Sequence, residues 1–329
     1  MKIFYSKSIL ITGGSGSLGK SLVKQLLENS NIRRIAIYSR DELKQFQMKS
    51  EFNNDSRLRW FLGDIRDKNR LIRALHGVDF VVHAAALKQV DTGEYNPMEF
   101  IKTNVLGSQN VIEACIDAGV SKVVALSTDK ASSPINLYGA TKLTADKLFI
   151  AANNYSQSYG TKFCVVRYGN VMGSRGSVIP FFQNVAKLGK PLPVTDLRMT
   201  RFWISLNDAV KFVLESFDLT QGGELYVPRI PSMRIVDLAK AISPDSEIIE
   251  IGIRPGEKLH EEMISAEDSR RTIRVSDDRF LVLPVVAEWD FKIPAGDSIP
   301  ERIAYASDSN DLWLSSEDIS RLIKDMNNF

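Results

Sequence analysis

Four titratable side chains stand close together in LSTDKASSPINLYGATK, residues 126–142. Asp129 and Lys130 are adjacent, Tyr138 follows eight residues after Lys130, and Lys142 comes four residues after Tyr138. Residues four apart share one face of a helix, so Tyr138 and Lys142 should lie side by side. An ammonium group near a phenol lowers the pKa of that phenol. The pair therefore indicates an acid–base catalyst that takes a proton from a substrate hydroxyl.

A glycine-rich turn nearer the amino terminus predicts a bound dinucleotide. TGGSGSLG places Gly13, Gly16 and Gly19 between an apolar run and a helical pattern. Glycines let the main chain approach a pyrophosphate, and the helix N-terminus stabilises its charge. The residues that we expect to bind the cofactor are Thr12, Gly13, Ser15, Gly16, Ser17, Leu18, Gly19, Ser39, Arg40, Lys44, Asp64, Ile65, Ala84, Ala85, Ala86, Lys88, Asn104, Tyr138, Lys142 and Tyr168.

The end of the second predicted strand bears on the choice between NADP and NAD. NAD-binding proteins usually carry an acidic residue there, which binds the ribose 2′-hydroxyl. This chain has Ser39 and Arg40, with Lys44 one turn later, and these side chains can bind a 2′-phosphate. Asp41 is an alternative ribose ligand one position late. We expect NADP.

The elements that must position these residues alternate between strand and helix up to about residue 171. Most predicted strands are continuous apolar runs, as in SILIT and KVVAL. This pattern predicts an α/β fold, a Rossmann-type doubly wound parallel sheet with a smaller, mixed C-terminal substrate lobe. We expect an NADP-binding domain at 1–170, re-entry of the chain near 205–230, and a mainly substrate-binding lobe at 171–329.

Composition narrows the classes of partner. The formal net charge is only +2, so no strong field draws the chain to nucleic acid. No apolar run approaches the ~18 residues of a membrane span, and SILIT is too short for a signal peptide. Cys115 and Cys164 stand in apolar stretches, which predicts buried free thiols and a cytoplasmic location. Three scattered histidines predict no metal site.

Four longer motifs carry a family resemblance that covers nearly the whole chain. They are STDKASSPINLYGATK, YGNVMGSRGSVIPFF, MTRFWIS and IRPGEKLHE. The chain resembles the extended branch of the short-chain dehydrogenase/reductases. Within that branch it is most similar to the inverting UDP-N-acetylglucosamine 4,6-dehydratases that begin pseudaminic acid synthesis. One departure is local, because LKQVDTGEYNP has Asp91 and Thr92 where the group has proline and an apolar residue.

The resemblance implies a redox-neutral, NADP-dependent dehydration of UDP-N-acetylglucosamine to a UDP-4-keto-6-deoxy sugar with inversion at C5. Retaining relatives carry Asp-Glu where this chain has Asp129 and Lys130. The resemblance makes Lys130 the candidate base at C5 and Asp129 the candidate acid at C6. Alternatively, Lys130 does both and Asp129 tunes it. A lysine base must be neutral, and apolar burial would lower its pKa. Thr128 would orient the substrate.

The resemblance also implies substrate ligands and a homo-oligomer, a dimer or a hexamer. Arg201 and Arg254 match phosphate oxygens, Glu257 would bind the uridine ribose, and Asn170 would face the sugar. The full set of expected substrate residues is Lys88, Thr128, Tyr138, Asn170, Val178, Thr195, Arg201, Arg254 and Glu257. Two other functions stay open: a UDP-sugar C4 or C5 epimerase, and a non-catalytic NADP-binding sensor or scaffold.

Overall fold

The structure, a computed structural model, describes residues 1–173 and 177–327. Ser174, Arg175 and Gly176, which belong to the motif YGNVMGSRGSVIPFF, lie outside the described residues. Of the described part, most residues that the sequence predicts as strands and helices form those elements. The strands, in chain order, are β1 (Ser8–Thr12), β2 (Arg34–Ser39), β3 (Leu58–Leu62), β4 (Phe80–His83), β5 (Lys122–Thr128), β6 (Lys162–Tyr168), β7 (Asn170–Val171), β8 (Leu192–Val194), β9 (Thr200–Ile204), β10 (Leu225–Pro228), β11 (Ser232–Arg234), β12 (Ile248–Glu250), β13 (Glu262–Ile264), β14 (Thr272–Ser276), β15 (Arg279–Val282), β16 (Asp297–Ser298) and β17 (Tyr305–Ala306).

Helices connect these strands and cover both faces of the large sheet. A π-helical stretch, Ile101–Leu106, joins α5 to α6, so the helical segment is continuous but locally wider than an α-helix. Gly119 follows α6 with φ of +69°, the left-handed conformation in which a glycine commonly ends a helix. The α-helices are α1 (Ser17–Asn29), α2 (Glu42–Glu51), α3 (Lys68–Leu75), α4 (Val90–Tyr95), α5 (Pro97–Phe100), α6 (Gly107–Asp117), α7 (Leu137–Ala151), α8 (Asn153–Ser156), α9 (Val178–Lys187), α10 (Leu206–Leu219), α11 (Ile235–Ile242) and α12 (Ser316–Asn327).

The large sheet has the order β16-β14-β15-β10-β6-β5-β4-β1-β2-β3 among the described residues. The strands from β10 to β3 run parallel. Strand β1 shows why apolar runs form this layer: Leu10 packs in the core on one face, while Ile9 and Ile11 pack in the core on the other. The doubly wound α/β fold predicted from the sequence is confirmed.

One edge of the sheet differs from the parallel pattern. Strand β15 pairs antiparallel with β10, and β14 and β16 extend that edge. These strands come from 272–298, within the region predicted as mainly substrate lobe. Strand β10 itself pairs with β6, so the chain re-enters the sheet at 225–228. The division into 1–170 and 171–329 stays a prediction.

The smaller lobe is built on a second apolar core. Strands β11, β9 and β7 form its three-stranded sheet, and α9, α11 and α12 pack with it. Ile319 and Ile323, one helical turn apart in α12, are both buried in this core. The C-terminal segment is therefore packed into the lobe.

The two cysteines, Cys115 and Cys164, are free and buried, as predicted. In the part of the chain that the structure describes, none of the helices combines the length and the apolar character needed to cross a bilayer. The same residues contain no grouping of three or more His, Cys, Asp or Glu side chains suited to a metal ion.

Candidate active site

A cleft of about 1740 Å³ opens at the carboxyl ends of the parallel strands, between the large sheet and the smaller lobe. Pockets that hold one drug-sized ligand are roughly 300–1,000 Å³, so this cleft has room for a dinucleotide and a nucleotide sugar together. Its lining includes the predicted residues Gly13, Ser15, Gly16, Ser17, Leu18, Gly19, Ser39, Arg40, Lys44, Asp64, Ile65, Ala84, Ala85, Ala86, Lys88, Thr128, Lys130, Tyr138, Lys142, Tyr168, Asn170, Val178, Thr195, Arg201, Arg254 and Glu257.

Three predicted site residues lie behind this lining. Thr12 Oγ1 binds His83 Nδ1 at 2.8 Å and accepts hydrogen bonds from two main-chain amides after β4. Asn104 is buried, and its amide exchanges two hydrogen bonds of 2.9 Å with the main chain of Leu87. Asp129 is also buried, at 1% exposure. These side chains shape the walls of the cleft from behind.

The glycine loop is packed so closely that side chains would not fit at two of its positions. Gly13 has φ of +66°, and a Cβ on it would lie 2.9 Å from the amide nitrogen of Ala85. A Cβ on Gly19 would lie 2.3 Å from the main-chain oxygen of Gly14. Gly16 stands at the N-cap of α1. The loop therefore packs tightly against the helix start, and its main chain fits a pyrophosphate.

The residues after β2 favour a cationic site for the adenosine ribose. Asp41 caps α2 by accepting a hydrogen bond from the Lys44 amide at 2.9 Å, and its other oxygen lies 2.6 Å from Lys44 Nζ. Its carboxylate is thus engaged within its own helix turn. Arg40 lies 3.5 Å from Asp64 and is half-exposed to the cleft. Ser39 Oγ accepts a hydrogen bond from Gln45 Nε2 at 2.9 Å.

Tyr138 lies in the first turn of α7, and both Tyr138 and Lys130 line the cleft. Burial raises the pKa of Tyr138 to about 12, although the Lys130 charge and a hydrogen bond with Thr128 act to lower it. Burial thus outweighs the nearby positive charge of Lys130, and the effect of Lys142 on this pKa stays a prediction. Lys142 Nζ donates to the main-chain oxygen of Leu126 at 2.7 Å. Burial lowers the pKa of Lys142, and Asp146 acts in the opposite direction.

The Asp129–Lys130 pair lies on a single 3₁₀ turn directly after β5. Lys130 Nζ is 3.1 Å from Asp129 Oδ1 and 3.0 Å from Glu261 Oε1. The surroundings of Lys130 are charged and not apolar, so the expectation that apolar burial lowers its pKa was wrong. Burial would lower the pKa of Lys130, but the two carboxylates outweigh burial and raise it above its usual value. The contacts with these two carboxylates favour the ammonium form of Lys130.

Glu261 is the site residue that the sequence analysis missed. It is buried, and its Oε1 is also 3.7 Å from Arg201 Nε. Glu261 is the last letter of the motif IRPGEKLHE, so the motif carried a signal. No periodicity places that letter beside Lys130, however, because the two residues meet only through the tertiary fold.

The expected substrate residues converge at the far end of the cleft. Arg201 is nearly buried, donates to the main-chain oxygens of Thr200 and Leu259, and pairs with Glu257 at 3.4 Å. Arg254 is exposed in the turn that leads to Glu257.

Four more cleft residues lie between the two ends. Thr195 Oγ1 lies 3.2 Å from Met199 Sδ, and Asn170 pairs with Trp203 in the small sheet. Burial lowers the pKa of Lys88, and Lys130 adds to this effect. Val178 begins α9 on the same wall.

The departure noted at Asp91 and Thr92 falls outside the cleft lining. Both residues are exposed on α4, and the cleft residue nearest to them in sequence is Gln89. The change therefore alters the outer surface of this segment more directly than the cleft.

A dinucleotide loop, a Tyr-Lys pair on one helix and an acid–base pair share one cleft. This fold and site define an enzyme of the short-chain dehydrogenase/reductase class. A family model described as "Polysaccharide biosynthesis protein" matches residues 9–282, and the chain belongs to that family, within the extended branch of this class.

Two relatives show the range of named activities. The chain is 54% identical to a UDP-N-acetylglucosamine 4,6-dehydratase (inverting) of Campylobacter jejuni, over 99% of this chain and 100% of the relative. It is 45% identical to a UDP-glucose 4-epimerase of Rickettsia massiliae, over 84% of this chain and 82% of the relative.

Solved structures agree on the fold. Pen from Bacillus thuringiensis superposes with a TM-score of 0.88 and 38% identity, covering 98% of this chain and 99% of Pen. DesIV, a dTDP-glucose 4,6-dehydratase from Streptomyces venezuelae with NAD bound, superposes with a TM-score of 0.69 and 27% identity, covering 77% of this chain and 86% of DesIV. The fold is thus that of enzymes that bind a nicotinamide dinucleotide.

Proposed function

We propose that the protein dehydrates UDP-N-acetylglucosamine to a UDP-4-keto-6-deoxy sugar with inversion at C5, using NADP. It would act in the cytoplasm as a homo-oligomer and supply the first step of a pseudaminic acid-type pathway. The observation that carries the proposal is the Asp129–Lys130 turn in the same cleft wall as Tyr138. Oxidation and reduction at one carbon need Tyr138 alone, whereas loss of water needs additional proton handlers.

The cofactor end of the cleft fits NADP. The glycine loop, in which Gly13 and Gly19 line the cleft without side chains, suits the pyrophosphate, and Arg40 with Ser39 suits the 2′-phosphate. A dinucleotide held there would supply a hydride acceptor that is regenerated in each cycle, so none would be consumed. Lys142, whose ammonium is fixed to β5, would hold the nicotinamide ribose.

Tyr138 would act on the C4 hydroxyl. Its phenol is protonated in the free protein, because its pKa is about 12. It therefore needs a proton outlet or a stronger positive field before it can accept the C4 proton. Thr128 and Lys130 are the groups of this chain whose interactions move that pKa downward.

Lys130 and Asp129 would handle the elimination. Once C4 is a ketone, the hydrogen on C5 is acidic. Lys130 faces the cleft and would remove that proton, while Asp129 or Lys130 would protonate the departing 6-hydroxyl. Because Lys130 replaces the glutamate of retaining relatives, it is also the residue that we connect with inversion at C5.

The substrate would lie with its pyrophosphate at the arginine end of the cleft. Arg254 offers an exposed guanidinium, while Arg201 is held by main-chain oxygens and Glu257. Guanidinium groups match phosphate oxygens in pairs of hydrogen bonds. The same end of the cleft would hold the uridine ribose at Glu257.

A second candidate is a UDP-sugar 4-epimerase, favoured by the Rickettsia relative's name. Incubation of the NADP-loaded protein with UDP-N-acetylglucosamine, followed by chromatographic separation and mass spectrometry of the sugars, separates the two. Loss of one water supports dehydration, whereas an isomer of unchanged mass would support the epimerase. A protein that binds NADP and leaves several UDP-sugars unaltered would overturn both enzymatic functions.

A further inference from the structure

Lys130 receives one of its two carboxylate contacts from a distant segment of the chain. Glu261 Oε1 lies 3.0 Å from Lys130 Nζ, and Oδ1 of the adjacent Asp129 lies 3.1 Å from it. Glu261 is about 1% exposed and does not line the cleft, whereas a quarter of the Lys130 side chain is exposed and lines it. Glu261 therefore contacts the reacting end of Lys130 from outside the space that a substrate would fill.

The main chain of Glu261 is itself held in place by buried hydrogen bonds. Its amide donates to Ser307 Oγ at 2.9 Å, and the Ser307 amide donates back to the Glu261 main-chain oxygen at 2.8 Å. Ser307 is fully buried, and its hydroxyl lies 2.7 Å from Thr200 Oγ1. Glu261 Oε1 also lies 3.7 Å from Nε of Arg201, which is nearly buried. These contacts give the carboxylate a fixed place behind the cleft wall.

Lys130 needs this second contact because its side chain is flexible. A lysine ammonium stands on a four-carbon stem, and each of its rotatable bonds must be fixed to place Nζ. Asp129 holds Nζ from the same 3₁₀ turn, and its Oδ1 also accepts a hydrogen bond from Thr128 Oγ1 at 2.9 Å. One oxygen lets Nζ turn about a single point. Two oxygens from separate segments restrict Nζ to one place.

We propose that Glu261 is a positioning residue that holds Lys130 Nζ where it acts on C5 of the sugar. The inference rests on the proposed dehydration. A reacting group that is misplaced by about 1 Å can lose roughly 10²-fold in rate. The negative charge of Glu261 has the opposite effect, because it favours the ammonium form of Lys130 over the neutral base. Loss of Glu261 therefore slows the elimination if position dominates and speeds it if charge dominates.

Three replacements of Glu261 separate position from charge. Glu261→Leu removes both acceptor oxygens, Glu261→Gln keeps one acceptor oxygen without the charge, and Glu261→Asp keeps the charge but withdraws it by one methylene. The matched control is Glu224→Gln. Glu224 is also about 1% exposed, is held by the Thr220 hydroxyl and the Gly222 amide, and does not line the cleft.

The reaction is followed through single turnovers of the NADP-loaded proteins with UDP-N-acetylglucosamine in heavy water. Absorbance of the reduced nicotinamide reports oxidation at C4. Mass spectrometry reports loss of water and deuterium at C5. These two readouts divide the steps that we assign to Tyr138 and to Lys130.

We expect a loss that is confined to the elimination. Glu261→Leu and Glu261→Asp should form reduced cofactor at the wild-type rate, but loss of water and deuterium uptake at C5 should slow by about tenfold to 10²-fold. Glu261→Gln should keep most of the wild-type rate, because its amide oxygen still accepts a hydrogen bond from Lys130. Glu224→Gln should match the wild type in both steps. Adding Glu261→Leu to Lys130→Met should slow the elimination no further, since Glu261 acts through Lys130.

Four kinetic results would overturn the proposal. They are an elimination in Glu261→Leu as fast as in the wild type or faster, equal losses in Glu261→Gln and Glu261→Leu, equal losses of both steps, and a further loss in the double variant. If Glu261→Leu does not fold, Glu261→Asp takes its place in each comparison.

Crystal structures of the wild type and the Glu261→Leu or Glu261→Asp protein keep this inference apart from the proposed function. We expect Lys130 Nζ to move from its wild-type place in the variant. An unmoved Nζ would overturn the positioning role, whatever the wild type catalyses. A displaced Nζ, with a wild type that leaves UDP-N-acetylglucosamine unaltered, would support the positioning of Lys130 and reject the proposed dehydration.

Discussion

The Lys142 ammonium donates a hydrogen bond of 2.7 Å to the main-chain oxygen of Leu126. Leu126 lies in β5, which leads into the Asp129–Lys130 turn, and Lys142 lies in α7, which carries Tyr138. The bond therefore ties the helix to the strand end. Gly139 allows the same close contact, because a Cβ there would lie 2.2 Å from the main-chain oxygen of Lys130. Tyr138 and Lys130 are thus held in a fixed relation.

Replacing each of these two side chains should stop the reaction at a different step. Tyr138→Phe removes the proposed acceptor of the C4 hydroxyl proton, so no reduced cofactor should appear even in one turnover. Lys130→Met keeps Tyr138 and the cofactor site, so a reduced cofactor should form and persist while C5 exchanges no deuterium from heavy water. Each loss should be roughly 10²–10⁴-fold. Stopped-flow absorbance of the reduced nicotinamide distinguishes them.

Lys147→Met is the control, because Lys147 is exposed on the same helix. It should leave both steps intact. Turnover of Lys130→Met near the wild-type rate, with deuterium at C5, would place the base elsewhere.

The glycine loop gives a prediction about stability and cofactor binding together. A methyl group at Gly19 would meet the main-chain oxygen of Gly14, which cannot move without opening the loop. Gly19→Ala should cost about 1–3 kcal/mol of folding free energy, as overpacking does, and should also abolish dinucleotide binding. Thermal unfolding and fluorescence titration measure the two effects.

Gly119→Ala separates strain from loop geometry. Gly119 has φ of +69° and open space around its Cβ position, and it does not line the cleft. The Gly119→Ala protein should lose about 1–2 kcal/mol of folding free energy, because alanine is strained in the left-handed conformation. It should bind the cofactor normally. Normal cofactor binding by Gly19→Ala would show that the glycine loop is not the pyrophosphate site.

Local patterns predicted the parts of this molecule that rest on neighbouring residues. The apolar runs of β1 and β5 imply burial on both faces, and the spacing of Tyr138 and Lys142 implies one helix face. The ends of parallel strands meet at one edge of a sheet. The cleft therefore brings together the glycine loop, Arg40 and the Asp129–Lys130 turn.

What the sequence could not give depends on contacts between distant segments. Glu261 reaches Lys130 across more than a hundred residues, and it adds to the effect of the adjacent Asp129 in raising the Lys130 pKa. Strands β14 and β15 do not alternate with helices along the chain, so the sequence pattern placed this antiparallel edge in the substrate-binding lobe. Burial of Tyr138 is likewise a property of the assembled lobes.

Substrate anchoring is best tested at Arg254, because this side chain is exposed and its loss should not disturb the core. Arg254→Ala should raise KM for the UDP-sugar by about tenfold or more and leave kcat within a few-fold, since the pyrophosphate does not react. Arg201→Ala should raise KM as well, but it should also lower the melting temperature, because Arg201 is nearly buried among main-chain oxygens. Steady-state kinetics and thermal unfolding separate these effects. A fall in kcat alone in both variants would instead make the arginines catalytic or structural.

Cofactor choice rests on Arg40, whose guanidinium is half-exposed, lines the cleft and lies 3.5 Å from Asp64. Arg40→Ala should weaken NADP binding by about 1–3 kcal/mol, the range of a charge-assisted hydrogen bond, and at the lower end because water screens the exposed group. NAD binding should change much less, since NAD lacks the 2′-phosphate. Arg66→Ala is the matched control: Arg66 pairs with the same Asp64 at 2.7 Å but does not line the cleft. It should leave the preference for NADP over NAD unchanged. Calorimetric titration of both cofactors into each protein measures the preference, and equal losses for NADP and NAD in Arg40→Ala would show that the 2′-phosphate lies elsewhere.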